Sequence, residues 1–178
     1  MPSKTDIRKF VKQKVKQLSP EERRIQSDEI LKRLAVHLQF VASKVVMLYY
    51  SLPDEVNTHQ FVKKWATEKV VLLPVVQGED LELRQYKSDS EICVTDFHIE
   101  APVAEAYTYL DKIDLIVVPG VAFDKKGHRM GRGRGFYDRF LAKSELCNAY
   151  KLGVCFPSQI VDSVPMDPHD VSMDDVLF

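Results

Sequence analysis

The stretch that decides the fold runs from residue 114 to residue 141 and reads DLIVVPGVAFDKKGHRMGRGRGFYDRFL. It begins with a continuous apolar run, residues 115–118, which is typical of a strand buried on both faces of a parallel sheet. It ends with apolar residues at helical spacing from Phe136 to Leu141, which predict an amphipathic helix. The stretch therefore predicts a strand, a loop and a helix. The loop would lie at the carboxyl end of a core strand, where α/β sheets bind their ligands.

The loop between this strand and this helix is rich in glycine and arginine. Residues 119–141 contain five of the seven glycines of the chain, together with six lysine or arginine residues. Glycine allows positive φ angles and a close approach of the main chain to a ligand. Arginine presents a planar set of donors that matches phosphate oxygens. The loop leads into a helix that is predicted to begin near Gly135, where backbone N–H groups favour an anion. This combination predicts a binding site for a polyanion.

Two common phosphate-binding motifs are excluded by their spacing. A Walker loop requires Gly-Lys followed by serine or threonine, which the chain lacks, and Gly131-x-Gly133-x-Gly135 has the wrong last spacing for the dinucleotide fingerprint. Asp138, in the first turn of the predicted helix, has two interpretations: it favours the helix dipole, or it binds Mg²⁺ beside the phosphates. An RNA-binding loop is a further alternative. The shortness of the run and its position after a core strand argue against it.

The rest of the chain alternates between predicted helices and strands. Residues 5–18 have helical periodicity, and Ser19, Pro20 and Glu22 form a helix start, so the chain opens with a helical hairpin. Further strands are predicted at 44–50, 70–74, 81–86, 151–156 and 176–177, and short helices at 58–68 and near 103–109. The strand at 81–86 alternates, which is typical of an antiparallel or edge strand. The order predicts a single α/β domain of residues 1–178, with three α/β/α layers around a mainly parallel sheet.

Composition limits the function classes. The 178 residues carry a formal net charge of −1, which argues against a protein that coats nucleic acid through its overall charge. Three cysteines without a CxxC spacing fit reduced thiols in a cytoplasmic protein, and five scattered histidines form no metal-binding motif. No apolar stretch approaches the length of a membrane span. We therefore expect a cytoplasmic monomer that binds anions locally, without a nucleic-acid or membrane partner.

The loop resembles the signature of the 5-formyltetrahydrofolate cyclo-ligase family. The resemblance is carried by residues 119–124, PGVAFD, and residues 127–138, GHRMGRGRGFYD. Three weaker segments agree with it in order and spacing. Residues 4–8, KTDIR, resemble the nucleotide-binding segment of the family; residues 51–56, SLPDEV, resemble its substrate loop; and residues 164–170, VPMDPHD, resemble its C-terminal segment. The resemblance covers nearly the whole chain.

The resemblance implies an enzyme that cyclises 5-formyltetrahydrofolate, with or without a polyglutamate tail, to 5,10-methenyltetrahydrofolate. ATP would be the co-substrate, Mg²⁺ the cofactor, and ADP and phosphate the other products. The formyl oxygen cannot leave as hydroxide when N10 attacks, whereas its phosphorylated form leaves as phosphate. Such an enzyme mainly positions reactants and neutralises charge. A non-catalytic protein with the same scaffold is the alternative, and it would be expected to lose Arg8, Glu55, Asp138 or Asp170, which are all present.

The resemblance also implies roles for individual residues. The implied ATP-binding residues are Lys4, Thr5, Asp6, Ile7, Arg8, Arg129, Met130, Gly131, Arg132, Gly133, Arg134, Gly135, Phe136 and Tyr137. The implied folate-binding residues are Tyr50, Glu55, Arg132, Gly133, Arg134, Gly135 and Phe136. Arg132, Arg134 and Tyr137 are expected to act in catalysis, and Asp138 and Asp170 to hold Mg²⁺. The loop is expected to close over both substrates as a mobile lid.

Overall fold

A six-stranded sheet forms the centre of the protein, whose computed structural model describes residues 3–95 and 98–178. Its strands are β1 (Val45–Met47), β2 (Val70–Gln77), β3 (Asp80–Tyr86), β6 (Leu115–Val118), β9 (Tyr150–Val154) and β10 (Asp175–Leu177). Shorter strands form hairpins: β4 (Ile92–Val94) with β5 (Glu100–Pro102), and β7 (Ala122–Phe123) with β8 (Arg129–Met130). The helices are α1 (Lys4–Gln17), α2 (Pro20–Ala35), α3 (Leu38–Ala42), α4 (His59–Trp65) and α5 (Phe136–Leu141), with 3₁₀ turns at Leu110–Lys112, Ser144–Leu146 and Pro157–Gln159.

The sheet is mainly parallel, as predicted. The strand order is β10-β9-β6-β1-β2-β3, and all neighbouring strands are parallel except β2 and β3. β1 lies between β2 and β6, with Met47 opposite Leu72 and Ile116. β3 returns along β2 as an antiparallel edge strand, with Val71 opposite Tyr86. The carboxyl ends of the parallel strands therefore meet at one edge of the sheet, and the segments that follow them can share one site.

Helices cover both faces of the sheet. On β6, Leu115 and Val117 belong to one hydrophobic cluster, to which α1, α2, α3 and α4 contribute. Ile116 and Val118 alternate with them and belong to a second cluster, to which α5 contributes. This alternation explains why the strand reads as a continuous apolar run, because both of its faces are buried. The predicted three-layer α/β/α arrangement is confirmed.

The chain opens with the predicted pair of helices. The hydroxyl of Ser3 accepts a hydrogen bond from the Asp6 N–H at 3.2 Å, and the hydroxyl of Ser19 accepts one from the Glu22 N–H at 3.1 Å. In both cases the acidic side chain bonds back to the N–H of the capping serine, which completes a capping box. Both helices bury apolar side chains in the same cluster. Among the described residues, no helix is both long and apolar enough to cross a membrane.

The segment 87–110 differs from its prediction. Its described part forms the β4–β5 hairpin, and residues 103–109 form an extended connection in place of the expected helix. Ala106 forms a bridge with Arg84 of β3, and the Tyr107 N–H donates to the Leu83 carbonyl at 2.7 Å. The helix prediction was wrong because β3 lies at the sheet edge, where its outward backbone groups accept an extended segment as a partner.

Inside the glycine-rich stretch the chain forms the β7–β8 hairpin, which the sequence did not predict. Asp124, which is 1% exposed, organises the turn of this hairpin. Its carboxylate accepts hydrogen bonds from the N–H groups of Lys126 at 2.9 Å, His128 at 3.1 Å and Val164 at 2.9 Å, and lies 2.9 Å from Nδ1 of His128. Burial alone raises the pKa of the Asp124 carboxyl, but these donors outweigh burial, so the pKa lies below its ordinary value.

Asp124→Asn is expected to lower the free energy of unfolding by about 2–4 kcal/mol near neutral pH, because an amide cannot accept all of these hydrogen bonds. The loss should depend on pH. The folded-state pKa of Asp124 is lowered, so the ionised carboxylate stabilises the fold above its unfolded pKa of about 3.9, and this contribution disappears as the pH falls through the folded-state pKa. Urea unfolding, measured from neutral to acid pH, should show that the difference in free energy of unfolding between wild type and variant becomes smaller as the pH falls. A constant gap would mean that the turn does not need the charge.

Gly127, in the same turn, has a φ angle of 84°, and a Cβ atom there would lie 2.3 Å from the Met173 carbonyl oxygen. We expect Gly127→Ala to lower the free energy of unfolding by more than about 2 kcal/mol, because backbone strain and a backbone clash act together. Gly78→Ala is the matched control. Gly78 also has a positive φ of 61°, but no described atom lies within 4 Å of its Cβ position, so only strain of about 1 kcal/mol applies. Equal losses in thermal unfolding would show that the Met173 contact is unimportant.

Candidate active site

A cavity of about 510 Å³ opens at the carboxyl ends of the core strands. Segments that are far apart in the sequence line it: Lys4, Arg8, Tyr49, Tyr50, Leu52, Glu55, Pro74, Val76, Leu81, Ile99, Pro119, Gly120, Arg129, Met130, Gly131, Arg132, Gly133, Arg134, Gly135, Phe136, Tyr137, Asp138, Asp167, His169 and Asp170. The cavity thus brings together residues from the loop, the N-terminal helix, the segment after β1, strands β2 and β3, and residues 167–170. Its volume is in the range of sites for small molecules and cofactors.

The start of α1 contributes two cations to this cavity. Nζ of Lys4 lies 2.5 Å from Oδ2 of Asp170 and 2.6 Å from Oδ2 of Asp167, and Nε of Arg8 donates to the Gly131 carbonyl at 2.9 Å. The three residues between them do not line the cavity: Thr5 is exposed, Asp6 caps the helix, and Ile7 packs in the hydrophobic core. Lys4 and Arg8 are four positions apart and share the face of α1 that lines the cavity.

The two carboxylates expected to hold Mg²⁺ lie at this end of the cavity. Asp138 is 9% exposed and accepts hydrogen bonds from Nη2 of Arg129 at 2.8 Å and from the Val171 N–H at 3.2 Å. Asp170 precedes Val171 directly, so its backbone lies beside Asp138. Burial alone raises the pKa of the Asp170 carboxyl, but the Asp167 N–H and the Lys4 ammonium lower it below its ordinary value. The carboxyl group of Asp170 is therefore held in the ionised form that a metal ion would require.

These side chains fit a magnesium ion by the chemistry of their donors. Mg²⁺ prefers oxygen ligands and is commonly held by one or two carboxylates together with substrate phosphates. Lys4 binds Oδ2 of Asp170, whereas Nε2 of the exposed His169 lies 3.6 Å from Oδ1. Asp167, His169 and Asp170 each offer one ligand atom, and these atoms lie within 4.8 Å of one another. Of these three, Asp170 is the residue predicted to hold Mg²⁺, and the other predicted ligand, Asp138, lies outside this cluster.

Arg129 is built into the wall of the cavity. Its side chain is 3% exposed; Nη2 binds Asp138, and Nη1 donates to the Pro119 carbonyl at 3.3 Å. Its Cζ lies 5.5 Å from the centre of the Tyr137 ring, within range of a cation–π contact. Its Nε has no hydrogen-bond partner among the described residues. Arg129 thus ties the strand end at Pro119 to the first turn of α5, and it orients both Asp138 and Tyr137.

Tyr137 and Glu55 both line the cavity, and the charge of Glu55 acts on the phenol of Tyr137. Burial, reinforced by the negative charge of Glu55, raises the pKa of Tyr137 far above its ordinary value, so its phenol stays neutral and can donate a proton in a hydrogen bond. Burial also raises the pKa of Glu55, although Arg132 and the Leu52 N–H work against it. The Leu52 N–H donates to Oε2 of Glu55 at 2.8 Å, which fixes the carboxylate in the loop after β1.

Arg132 joins the glycine-rich loop to the loop after β1. Its Nη1 and Nη2 donate to the two oxygens of Asp54 at 3.1 and 2.6 Å, and Nη2 also donates to Oε1 of Glu55 at 2.9 Å. Two residues that the resemblance assigns to the substrates, Arg132 and Glu55, are therefore paired with each other. Asp54 was not among the predicted site residues, although its position next to Glu55 was visible in the sequence.

Sequence reasoning also missed Arg139. Its Nη1 donates to the Arg134 carbonyl at 3.0 Å, its Nε and Nη2 donate to the Glu79 carbonyl, and its Cζ lies 5.5 Å from the centre of the Phe136 ring. Gly135 has a φ of 72°, and a Cβ atom there would lie 2.8 Å from Nη1 of Arg139. The loop is therefore held at Gly131 by Arg8, at Arg132 by Asp54, and at Arg134 by Arg139. Its closing motion over substrates stays a prediction.

The other side of the cavity is apolar and aromatic. The Tyr50 ring stacks on the ring of His59, with centroids 3.8 Å apart and planes at 13°. Nε2 of His59 lies 2.9 Å from the Ser51 carbonyl, so the stack is fixed to the backbone of the same loop. Pro74, Val76, Leu81 and Ile99 complete this wall. No sequence signal distinguishes such apolar residues from those of the core, because both kinds occupy strands with the same alternation.

Comparison with known proteins identifies the family. A model of the 5-formyltetrahydrofolate cyclo-ligase family matches residues 1–178. A Mus musculus 5-formyltetrahydrofolate cyclo-ligase is 32% identical over 189 residues, covering 99% of this chain and 93% of the relative, and one from Escherichia coli K12 is 26% identical over 170 residues, covering 92% and 93%. The NMR structure of Aquifex aeolicus 5,10-methenyltetrahydrofolate synthetase matches with a TM-score of 0.86 and 35% identity, covering 98% of this chain and 88% of that one. Because the family model spans all 178 residues and the mouse relative aligns over nearly its whole length, the chain belongs to the 5-formyltetrahydrofolate cyclo-ligase family of enzymes.

Proposed function

We propose that the protein cyclises 5-formyltetrahydrofolate to 5,10-methenyltetrahydrofolate with ATP and Mg²⁺, and releases ADP and phosphate. Family membership supports the folate reaction. The observation that supports the rest of the proposal, the use of ATP and Mg²⁺, is the cavity itself. It is lined by the cationic loop with Arg132 and Arg134, by Glu55 and by Tyr50. A polyanion and a flat heterocycle with N–H donors are the two ligand types that suit these two sides.

The chemistry explains the need for ATP. In 5-formyltetrahydrofolate the formyl oxygen is amide-like, and it attacks the γ-phosphorus of ATP as ADP leaves. N10 then attacks the formyl carbon and closes the five-membered ring, N10 loses its proton, and the C–O bond breaks with release of phosphate. In both steps negative charge gathers on phosphate oxygens. The protein can therefore act mainly by holding two reactants in line and by placing cations beside the oxygens.

On the phosphate side, we assign ATP binding to Lys4 and Arg8 and to residues 129–137, as the resemblance implies. The catalytic cations are Arg132 and Arg134, and the neutral phenol of Tyr137 donates a hydrogen bond to an oxygen of the reacting groups. Thr5, Asp6 and Ile7 lie outside the cavity, so any part they play is confined to the local structure of α1. When bound, Mg²⁺ would neutralise phosphate charge, and Asp138 and Asp170 are the carboxylates proposed to hold it.

On the folate side, Glu55 accepts hydrogen bonds from the donor edge of the pterin, and Tyr50 packs on a ring of the substrate. Residues 132–136, which line the cavity, are proposed to contact both substrates, as the resemblance implies. We further propose that residues 1–178 act as a single domain and as a monomer in the cytoplasm, where free cysteines stay reduced. The proposed substrate range includes polyglutamylated forms.

One assay tests the proposed function. Purified protein is mixed with 5-formyltetrahydrofolate, ATP and Mg²⁺, and the near-ultraviolet absorbance of the methenyl product is followed. Product should form only when protein, ATP and Mg²⁺ are all present, and EDTA should stop the reaction. Absence of product under these conditions contradicts the proposal. An RNA-binding function would instead appear as RNA affinity that falls steeply with salt.

A further inference from the structure

The pair between Arg132 and Asp54 connects two loops that are 78 residues apart in the sequence. Both Nη atoms of Arg132 bind Asp54, one to each carboxylate oxygen, and the side chains are 37% and 40% exposed. A two-pronged pair of this kind fixes the plane of the guanidinium as well as its distance. The third bond, from Nη2 to Glu55, ends on a side chain that is only 10% exposed. The guanidinium thus lies between an outer and an inner carboxylate.

Backbone alone cannot fix the position of Arg132. It lies between Gly131 and Gly133, whose φ angle is 103°, and glycine neighbours leave the main chain free to take many conformations. The hydrogen bonds on either side of Arg132 hold the main chain only: Arg8 donates to the Gly131 carbonyl, and Arg139 donates to the Arg134 carbonyl. The orientation of the Arg132 side chain therefore depends on its own hydrogen bonds. Two of these bonds go to Asp54, and one goes to Glu55.

We propose that Asp54 is a positioning residue, which holds the guanidinium of Arg132 against Glu55 and so fixes the cation and the inner carboxylate relative to each other. The inference rests on the proposed function for what the cavity binds, but it concerns a residue to which that function assigns no role. Glu55 alone would hold Arg132 by a single bond, about which the guanidinium could turn. With Asp54 present, the guanidinium of Arg132 is already oriented before the substrates bind, so the reaction does not bear the entropic cost of ordering this side chain.

The kinetic test compares Asp54→Asn and Asp54→Glu with wild type. Asn keeps the size but loses the charge and one acceptor, so kcat should fall about tenfold while both KM values change less than about threefold. Glu restores the charged two-oxygen acceptor, and kcat should recover to within about threefold of wild type. Asp28→Asn is the matched control, because Asp28 pairs with Arg24 at 3.1 Å on the exposed side of α2, away from the cavity. The kcat of this variant should equal that of wild type. A kcat for Asp54→Asn within twofold of wild type overturns the proposal.

A double-mutant cycle tests whether Asp54 acts through Arg132. If it does, adding Asp54→Asn to Arg132→Ala should change the residual kcat by less than about twofold. If the two losses multiply instead, Asp54 acts independently of Arg132 and the proposal fails. The thermal unfolding temperature of Asp54→Asn should stay near that of wild type, since the pair is partly exposed.

A second readout does not need enzyme activity. Trypsin cleaves after arginine, and Arg132 must leave Asp54 to enter the protease. Without substrates, Asp54→Asn should be cleaved after Arg132 at least about fivefold faster than wild type, while Asp28→Asn should not. Equal cleavage rates overturn the proposed restraint. If wild type shows no cyclo-ligase activity, the proposed function has failed, and the cleavage rates still decide whether Asp54 holds Arg132.

Discussion

Replacing Arg129 with methionine should lower the free energy of unfolding by about 3–5 kcal/mol, the usual cost of removing one partner of a buried ion pair. Methionine fills similar space but leaves Asp138 without its cation and the Pro119 carbonyl without its donor. At this chain length each kcal/mol corresponds to about 2–4 °C, so the thermal unfolding temperature should fall by roughly 6–20 °C. Differential scanning calorimetry measures the shift.

Two variants give this prediction its controls. Arg129→Met combined with Asp138→Asn should recover part of the lost stability, because the uncompensated buried charge is then removed. Arg24→Met should leave the free energy of unfolding close to that of wild type, because Arg24 is 60% exposed and pairs with Glu21 and Asp28 at the surface. If Arg129→Met costs no more than Arg24→Met, then Arg129 is not part of the structural framework.

Arg134→Ala should lower kcat by about 10³-fold, the order of magnitude found when a phosphoryl-transfer enzyme loses an arginine that stabilises the transition state. Arg134 lines the cavity on the exposed part of the loop, and its carbonyl is held by Arg139. The fold should be little affected, because the side chain is exposed. Stopped-flow and steady-state measurements of methenyl product formation give kcat, and thermal unfolding checks the fold.

Arg24→Ala provides the control for a general loss of positive charge, and its kcat should match wild type. The reason for the large effect is charge: the phosphoryl group carries negative charge that gathers on its oxygens, and a cation placed beside them acts more strongly in the transition state than in the bound substrate. A loss of less than about tenfold would mean that Arg134 is not beside the reacting phosphate.

Much of the fold could be predicted because local signals and tertiary structure agree. The run at residues 115–118 reads as a doubly buried strand and is one, and the capping box predicted at Ser19 marks a real helix start. The expected helix near residues 103–109 was wrong because the competing partner, the outer edge of β3, is brought there only by the folded chain. Local propensity does not contain that information.

The sequence predicted which stretch of the chain forms the site, but not how the side chains of that stretch are arranged. The sequence presents Arg129, Arg132 and Arg134 alike, whereas the structure buries Arg129 on Asp138 and leaves Arg132 and Arg134 in the exposed part of the loop. What separates them is the position of partners from other segments. Ile7 is the reverse case: helical periodicity already put it in the buried stripe of α1, where the structure has it, although the resemblance placed it among the nucleotide-binding residues.

The ion pair of Lys4 with Asp170 joins side chains that are 166 residues apart. During synthesis on the ribosome, α1 therefore emerges long before the segment that completes the wall beside it. The preceding chain can fold its helices early, but the phosphate end of the cavity closes only after residues 167–170 arrive, together with β10 at the sheet edge. Nascent chains that stop short of this segment would lack Asp167 and Asp170, so the proposed ATP site would stay incomplete until the last part of the chain is made.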